Sequence, residues 1–80
     1  MTESVKKELL DQGIFSIWAS LDNMSTYSTA VDVEHCYGRL CGKISMLCDL
    51  DLIDFDTYFK LCNESAALYF ETMRQIKEVV

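Results

Sequence analysis

The sequence predicts an all-α fold, a small three-helix bundle in which an antiparallel hairpin of the second and third helices is joined by an N-terminal helix. Three observations predict it. Hydrophobic side chains recur at alternating steps of three and four through nearly the whole chain, the spacing of one helix face. Two short polar or acidic interruptions divide that pattern into three segments, and short connections make consecutive helices antiparallel neighbours. No segment offers a strand with a second strand to pair with. The 80 residues make one domain, 1–80, too small to divide into two independent cores. A hairpin of the second and third helices crossed by the first satisfies the same pattern.

The first helix is expected over 3–23, burying Leu10, Ile14, Ile17, Leu21 and Met24 with Trp18 beside them, and Gly13 softens it. Ser25, Thr26, Tyr27, Ser28 and Thr29 form a polar connection. The second helix is expected over 30–50. Thr29 and Asp32 approximate a capping pair at its start, with Asp in place of the usual Glu or Gln. Val33, Tyr37, Leu40, Ile44 and Leu47 face its core, and Cys41 and Cys48 lie on the adjoining edge.

Asp51, Leu52 and Ile53 form a tight turn. The alternation from Leu50 to Asp56 has the period of a strand, but it lies between two strong helical segments. The third helix is expected over 55–78, with Asp54 as N-cap and Asp56 as a favourable charge at its positive end. Its core stripe is Phe55, Phe59, Cys62, Ala66, Tyr69, Met73, Ile76 and Val80, and Leu61, Leu68 and Val79 form a second apolar seam.

Thirteen acids against seven bases give a net charge of −6, spread evenly along the chain. Nucleic-acid affinity is mostly neutralisation of phosphates by Lys and Arg, so direct binding of DNA or RNA is not expected, nor is an anionic membrane surface. The N-terminus has charges of both signs and no apolar run after them, so it does not read as a signal peptide. The longest charge-free runs are about half of the ~20 residues a membrane span needs. A cytoplasmic location follows. Four cysteines permit three pairings, but without an export signal they are expected as thiols.

No cofactor, metal or catalytic set is expected. His35, Cys36, Cys41, Cys48 and Cys62 lack ligand spacing, and the stripe cysteines Cys41, Cys48 and Cys62 read as small core residues. His35 and Cys36 are adjacent on a helix and diverge by about 100°, which separates base from thiol, and His35 reads as solvated near Arg39.

Asp49, Asp51, Asp54 and Asp56 place four carboxylates within eight residues. An EF-hand loop begun at Asp49 would need oxygen at Ile53, Gly at Asp54 and Glu at Lys60, and has none of them. Three readings remain. Asp51 and Asp54 serve turn and cap while the others are solvated, the cluster binds a divalent cation weakly, or it docks on a basic surface. Gly38, Gly42 and Ser45 share a line along the second helix that lets a neighbouring backbone approach, either another helix of this chain or that of a partner or a second copy.

Small domains bury only ~60% of the surface their unfolded chains expose, and half of this chain is hydrophobic. Apolar surface is therefore left over. The second seam, with Leu61 and Leu68, is either covered by the first helix or offered to another chain, and Phe15 and Met46 project onto otherwise polar faces.

The turn Leu50-Asp51-Leu52-Ile53-Asp54-Phe55-Asp56-Thr57-Tyr58-Phe59 resembles the hairpin turn of many short bacterial and phage α-helical proteins. The general character, tiny, acidic and all-α, is similar to small inhibitors carried by phages and other mobile elements. The expected function is accordingly a non-enzymatic protein–protein interaction module, in its specific form a counter-defence inhibitor that masks a nucleic-acid-binding protein. The expected partner is a protein with a basic surface, met by Asp49, Asp51, Asp54, Asp56 and Glu64 with Leu61, Leu68, Phe15 and Met46. The alternative is a homodimer whose function belongs to the assembly.

Overall fold

The computed structural model describes residues 2–79, with side chains described as far as Lys77. It contains α1 (Glu3–Met24), α2 (Ala30–Asp49) and α3 (Phe55–Val79), and no strand among the described residues. Each helix starts where a short polar side chain takes up an amide of the first turn. Thr2 Oγ1 accepts from Val5 N–H at 3.3 Å, Thr29 Oγ1 from Asp32 N–H at 3.3 Å, and Asp54 Oδ1 from Thr57 N–H at 2.8 Å.

α2 ends by a Schellman closure, in which Leu52 N–H reaches Leu47 O at 2.9 Å and Asp51 N–H reaches Cys48 O at 3.0 Å. That closure puts Asp51 at φ 57°, in the left-handed region where glycine is the usual occupant.

α2 is the shared wall of the bundle. It packs along both α1 and α3, whereas α1 and α3 touch each other little. The core is made of Ile17, Leu21 and Met24 from α1, of Val33, Cys36, Leu40, Ile44 and Leu47 from α2, and of Leu61 from α3. Tyr37 and Tyr69 stack with ring centroids 4.3 Å apart and join α2 to α3. Ser20 ties α1 to α2: its hydroxyl accepts from Lys43 Nζ at 2.8 Å and its carbonyl accepts from Cys36 Sγ at 3.4 Å.

Three expectations need correction. The inner face of α3 is not the Phe55–Phe59 stripe but the neighbouring line of Leu61, Ser65 and Thr72, which are buried, flanked by half-buried Leu68, Tyr69 and Ile76. The helix is turned by roughly a quarter of a revolution from the phase its hydrophobic residues suggest. Ser65 tolerates burial because its hydroxyl donates to Leu61 O at 2.7 Å, one turn back. Val80 and the side chain of Val79 lie outside the described residues.

The second correction concerns cysteine. Cys36 is the buried one, and Cys41, Cys48 and Cys62 are half-buried. The third concerns glycine. A Cβ built on Gly38 or Gly42 meets nothing within 4 Å, so of the two readings of this line, close packing against another helix of this chain is not made at Gly38 or Gly42. The close approach is at Gly13, where a Cβ would stand 2.7 Å from Leu47 Cδ2.

The molecule is long and narrow, 50 × 19 × 14 Å across its Cα atoms. Its radius of gyration is 14.0 Å, against about 12 Å for a compact domain of this length. Its accessible surface is 5525 Å², where a compact monomer of this mass exposes roughly 4,900 Å².

The glycines should separate in urea denaturation. Gly38→Ala and Gly42→Ala, in open helical positions, are expected to stabilise by about 0.5–1 kcal/mol. Gly13→Val is expected to destabilise by about 1–3 kcal/mol, because its side chain must displace buried Leu47. Asp51→Gly is expected to stabilise by about 1 kcal/mol by relieving the left-handed backbone, and an unchanged midpoint would contradict the closure described.

Candidate interaction surface

Every phenylalanine of the chain lies outside the core. Phe15 is 76% exposed, Phe55 70%, Phe59 58% and Phe70 68%, and Trp18 is 52% exposed. The three on α3 occupy one flank of that helix, within an arc of about 60° at 100° per residue. They belong to two aromatic clusters: Phe55 and Tyr58 each pack against Phe59, with centroids at 6.5 Å and 5.5 Å, and Phe70 meets Tyr69 edge-on at 5.4 Å. Tyr69 in turn stacks on Tyr37, so the exposed ring of Phe70 continues directly into the α2–α3 interface.

Sequence reasoning assigned Phe55 and Phe59 to the core and so missed them as surface residues. The available signal was Ser65 and Thr72, whose short hydroxyls can be buried by bonding back to their own helix.

Met46, 58% exposed, stands over a groove between α1 and α2 of about 440 Å³. Leu9, Gly13, Gly42, Leu47, Leu50 and Leu52 line it, with Gln12, Ser16 and Lys43 as its polar members. Gly42 leaves open space where a side chain would otherwise stand, whereas the Cβ position of Gly13 is taken up by Leu47. Phe15 is not part of this groove: it lies about 200° around α1 from Gly13. Met46 is thus close to the acidic turn through Leu50, and Phe15 is on another side.

Leu61 is 8% exposed and Leu68 packs against the core, so the seam they define faces inward and is closed to a partner. Glu64 is exposed on α3.

The acidic turn has structural duties. Asp54 caps α3, and its hydrogen bonds with Thr57 hold its carboxyl below the usual carboxylate range. Asp51 occupies the left-handed closing position of α2. Asp56 sits in the first turn of α3, where the helix dipole favours a negative charge, and Asp49 ends α2, where it does not. All four are exposed. Asp51 also lines a hollow with Glu3, Lys6 and Lys7 of α1, residues distant in sequence.

Burial pushes the Cys36 thiol up, and the Arg39 and Lys43 charges only partly counter it. A raised thiol is a poor nucleophile at neutral pH. His35 is exposed on α2. Among the described residues no group of three His, Cys, Asp or Glu side chains is placed to hold a metal ion, and no helix is long and apolar enough to cross a membrane.

The Asp54 cap gives stability a defined acid dependence. Its folded pKa is depressed, so its contribution is complete above the unfolded carboxylate value and is lost as pH falls through the lower folded value. Asn caps helices as well as Asp does but does not titrate. The melting temperature of Asp54→Asn should therefore lie close to that of the wild type at low pH and below it at neutral pH. Parallel curves from pH 7 to pH 2 would show that the carboxylate contributes no specific charge effect.

A comparison of the chain with models of protein families, with curated proteins and with solved structures finds no match to any of them.

Proposed function

We propose that this chain is a non-enzymatic protein–protein interaction module that grips its partner through exposed aromatic side chains. The observation that supports it is the placement of all four phenylalanines outside the core, in a molecule with about a tenth more surface than its mass requires. Isolated exposed apolar residues are ordinary, but Phe55, Phe59 and Phe70 share one flank of one helix. Aromatic side chains, phenylalanine among them, are enriched at the cores of protein interfaces.

The more specific form is a small acidic inhibitor that masks a nucleic-acid-binding protein, with Asp49, Asp51, Asp54, Asp56 and Glu64 standing in for phosphates. Exposure of all five carboxylates supports it. Asp51 and Asp54 also have structural duties, so the aromatic flank is the stronger support and the acidic turn acts at its rim, steering a basic partner.

Affinity capture from native host cells with three baits tests the proposal: wild type, Phe55→Ser with Phe59→Ser, and Asp49, Asp51, Asp54 and Asp56 all changed to Asn. The aromatic variant should lose the partner at every salt concentration. If the turn steers, the Asn variant should recover less partner than the wild type at low salt, with a difference that shrinks as salt rises, and if the turn mimics phosphate it should lose the partner completely. Equal recovery by all three baits, each still helical by circular dichroism, would refute the proposal.

A further inference from the structure

We propose that the groove between α1 and α2 binds a small amphiphilic acid, a single aliphatic chain of about eight carbons ending in a carboxylate. The carboxylate meets Lys43 at one end of the groove, and the chain runs over Leu47 towards Leu9, Leu50 and Leu52 at the other. This site lies apart from the aromatic flank of α3 and does not depend on it.

The two ends of the groove differ in chemistry. The contacts of Ser20 with Lys43 and of Gly13 with Leu47 fix an antiparallel register. That register sets Ser16 towards the Lys43 end and Leu9 towards the Leu50 end. One end is therefore polar and basic, and the other is made of leucines.

Lys43 is half-buried, and among the described residues its ammonium has no carboxylate partner: it donates to the Ser20 hydroxyl at 2.8 Å. An ammonium has three protons to donate, so two are left for an anion. Arg39, one turn earlier on α2, adds a second positive charge, and its field and that of Lys43 both reach the Cys36 thiol. The acids stand elsewhere. Glu8, Asp49 and Asp51 adjoin Leu9, Leu50 and Leu52 at the far end, and Glu34 borders a separate hollow beside Arg39. A carboxylate at Lys43 thus meets positive charge, whereas one at the leucine end would meet negative charge, so the sequence of charges selects the orientation of the chain.

The dimensions select the occupant. Leu9 and Ser16 are seven residues apart, about 10 Å along α1. A saturated chain of about eight carbons, with bonds of about 1.5 Å in a zigzag, spans that length. The volume of about 440 Å³ falls within the range of roughly 300–1,000 Å³ found for small-molecule sites. The opening at Gly42 is the width of one missing side chain, which admits an alkyl chain and excludes a helix about 10 Å across. Buried Leu47 forms the floor, and the flexible thioether of exposed Met46 can fold over the tail.

Amide NMR titration of the full chain with butanoate, hexanoate, octanoate and decanoate tests the proposal, with 1-octanol and octylammonium as head-group controls. Octanoate should cause saturable shifts at Gly13, Ser16, Gly42 and Leu47. Affinity should rise about two- to fourfold per added methylene up to about eight carbons and then level off. Octanol should bind about tenfold more weakly than octanoate, and octylammonium more weakly still. Lys43→Gln should bring octanoate down to the level of octanol and leave octanol unchanged. Gly42→Leu should abolish binding of both, with helicity by circular dichroism retained.

Absence of saturable shifts with octanoate or decanoate overturns the proposal. Equal binding of octanoate, octanol and octylammonium overturns it as well, because Lys43 then selects nothing. So do shifts confined to Phe55, Phe59 and Phe70, which would mark adsorption to the aromatic flank. None of these outcomes touches the interaction-module reading, which is tested at that flank.

Discussion

The bundle depends on α2 being buried along two lines at once. Its Cys36 and Leu47 meet Ser20 and Gly13 of α1, Tyr37 stacks on Tyr69 of α3, and Leu40 and Ile44 lie in the core between. Because α1 and α3 touch little, neither can replace α2 as a wall. A helix of 20 residues is thereby asked to organise a chain of 80, and the outer sides of its two neighbours are left uncovered. The length, the narrow cross-section and the surplus surface all follow from that arrangement.

The fold was legible in the sequence to within a residue or two at every helix end, because the ends are written in local chemistry. Thr29 and Asp54 were recognisable caps, and both make the predicted backbone bonds. The cores of α1 and α2 were legible as well, since Ile17, Leu21, Val33, Leu40 and Ile44 are large, apolar and in phase. The face of α3 was not. Periodicity weights a phenylalanine heavily and a serine negatively, so Phe55, Phe59 and Phe70 pulled the expected stripe away from Ser65 and Thr72. What decides the phase is steric: two helices that approach across small residues exclude a phenyl ring and admit a hydroxyl that satisfies itself on its own backbone.

The glycines show a related limit. Gly13, Gly38 and Gly42 look alike as letters, and only the three-dimensional arrangement distinguishes the one that meets Leu47 from the two that meet nothing. The acidic turn shows a third. Its four carboxylates read as one feature, but their surroundings differ: a cap, a left-handed closure, a favourable helix start and an unfavourable helix end. Lys6 and Lys7, more than forty residues earlier, share the hollow beside Asp51, a neighbourhood no local inspection of the turn reveals. The candidate surface was thus legible as a surplus of apolar side chains but not as a location.

The uneven anchoring of α1 has a dynamic consequence. Its three buried residues, Ile17, Leu21 and Met24, all fall in its last eight positions, whereas Val5 and Leu9 are exposed. The opening turns are fastened mainly by their own amide bonds and the Thr2 cap, which alone are marginal in water. Amide deuteration should therefore spread along this helix as a gradient, fast near Lys7 and slow near Leu21, with no single step marking its release.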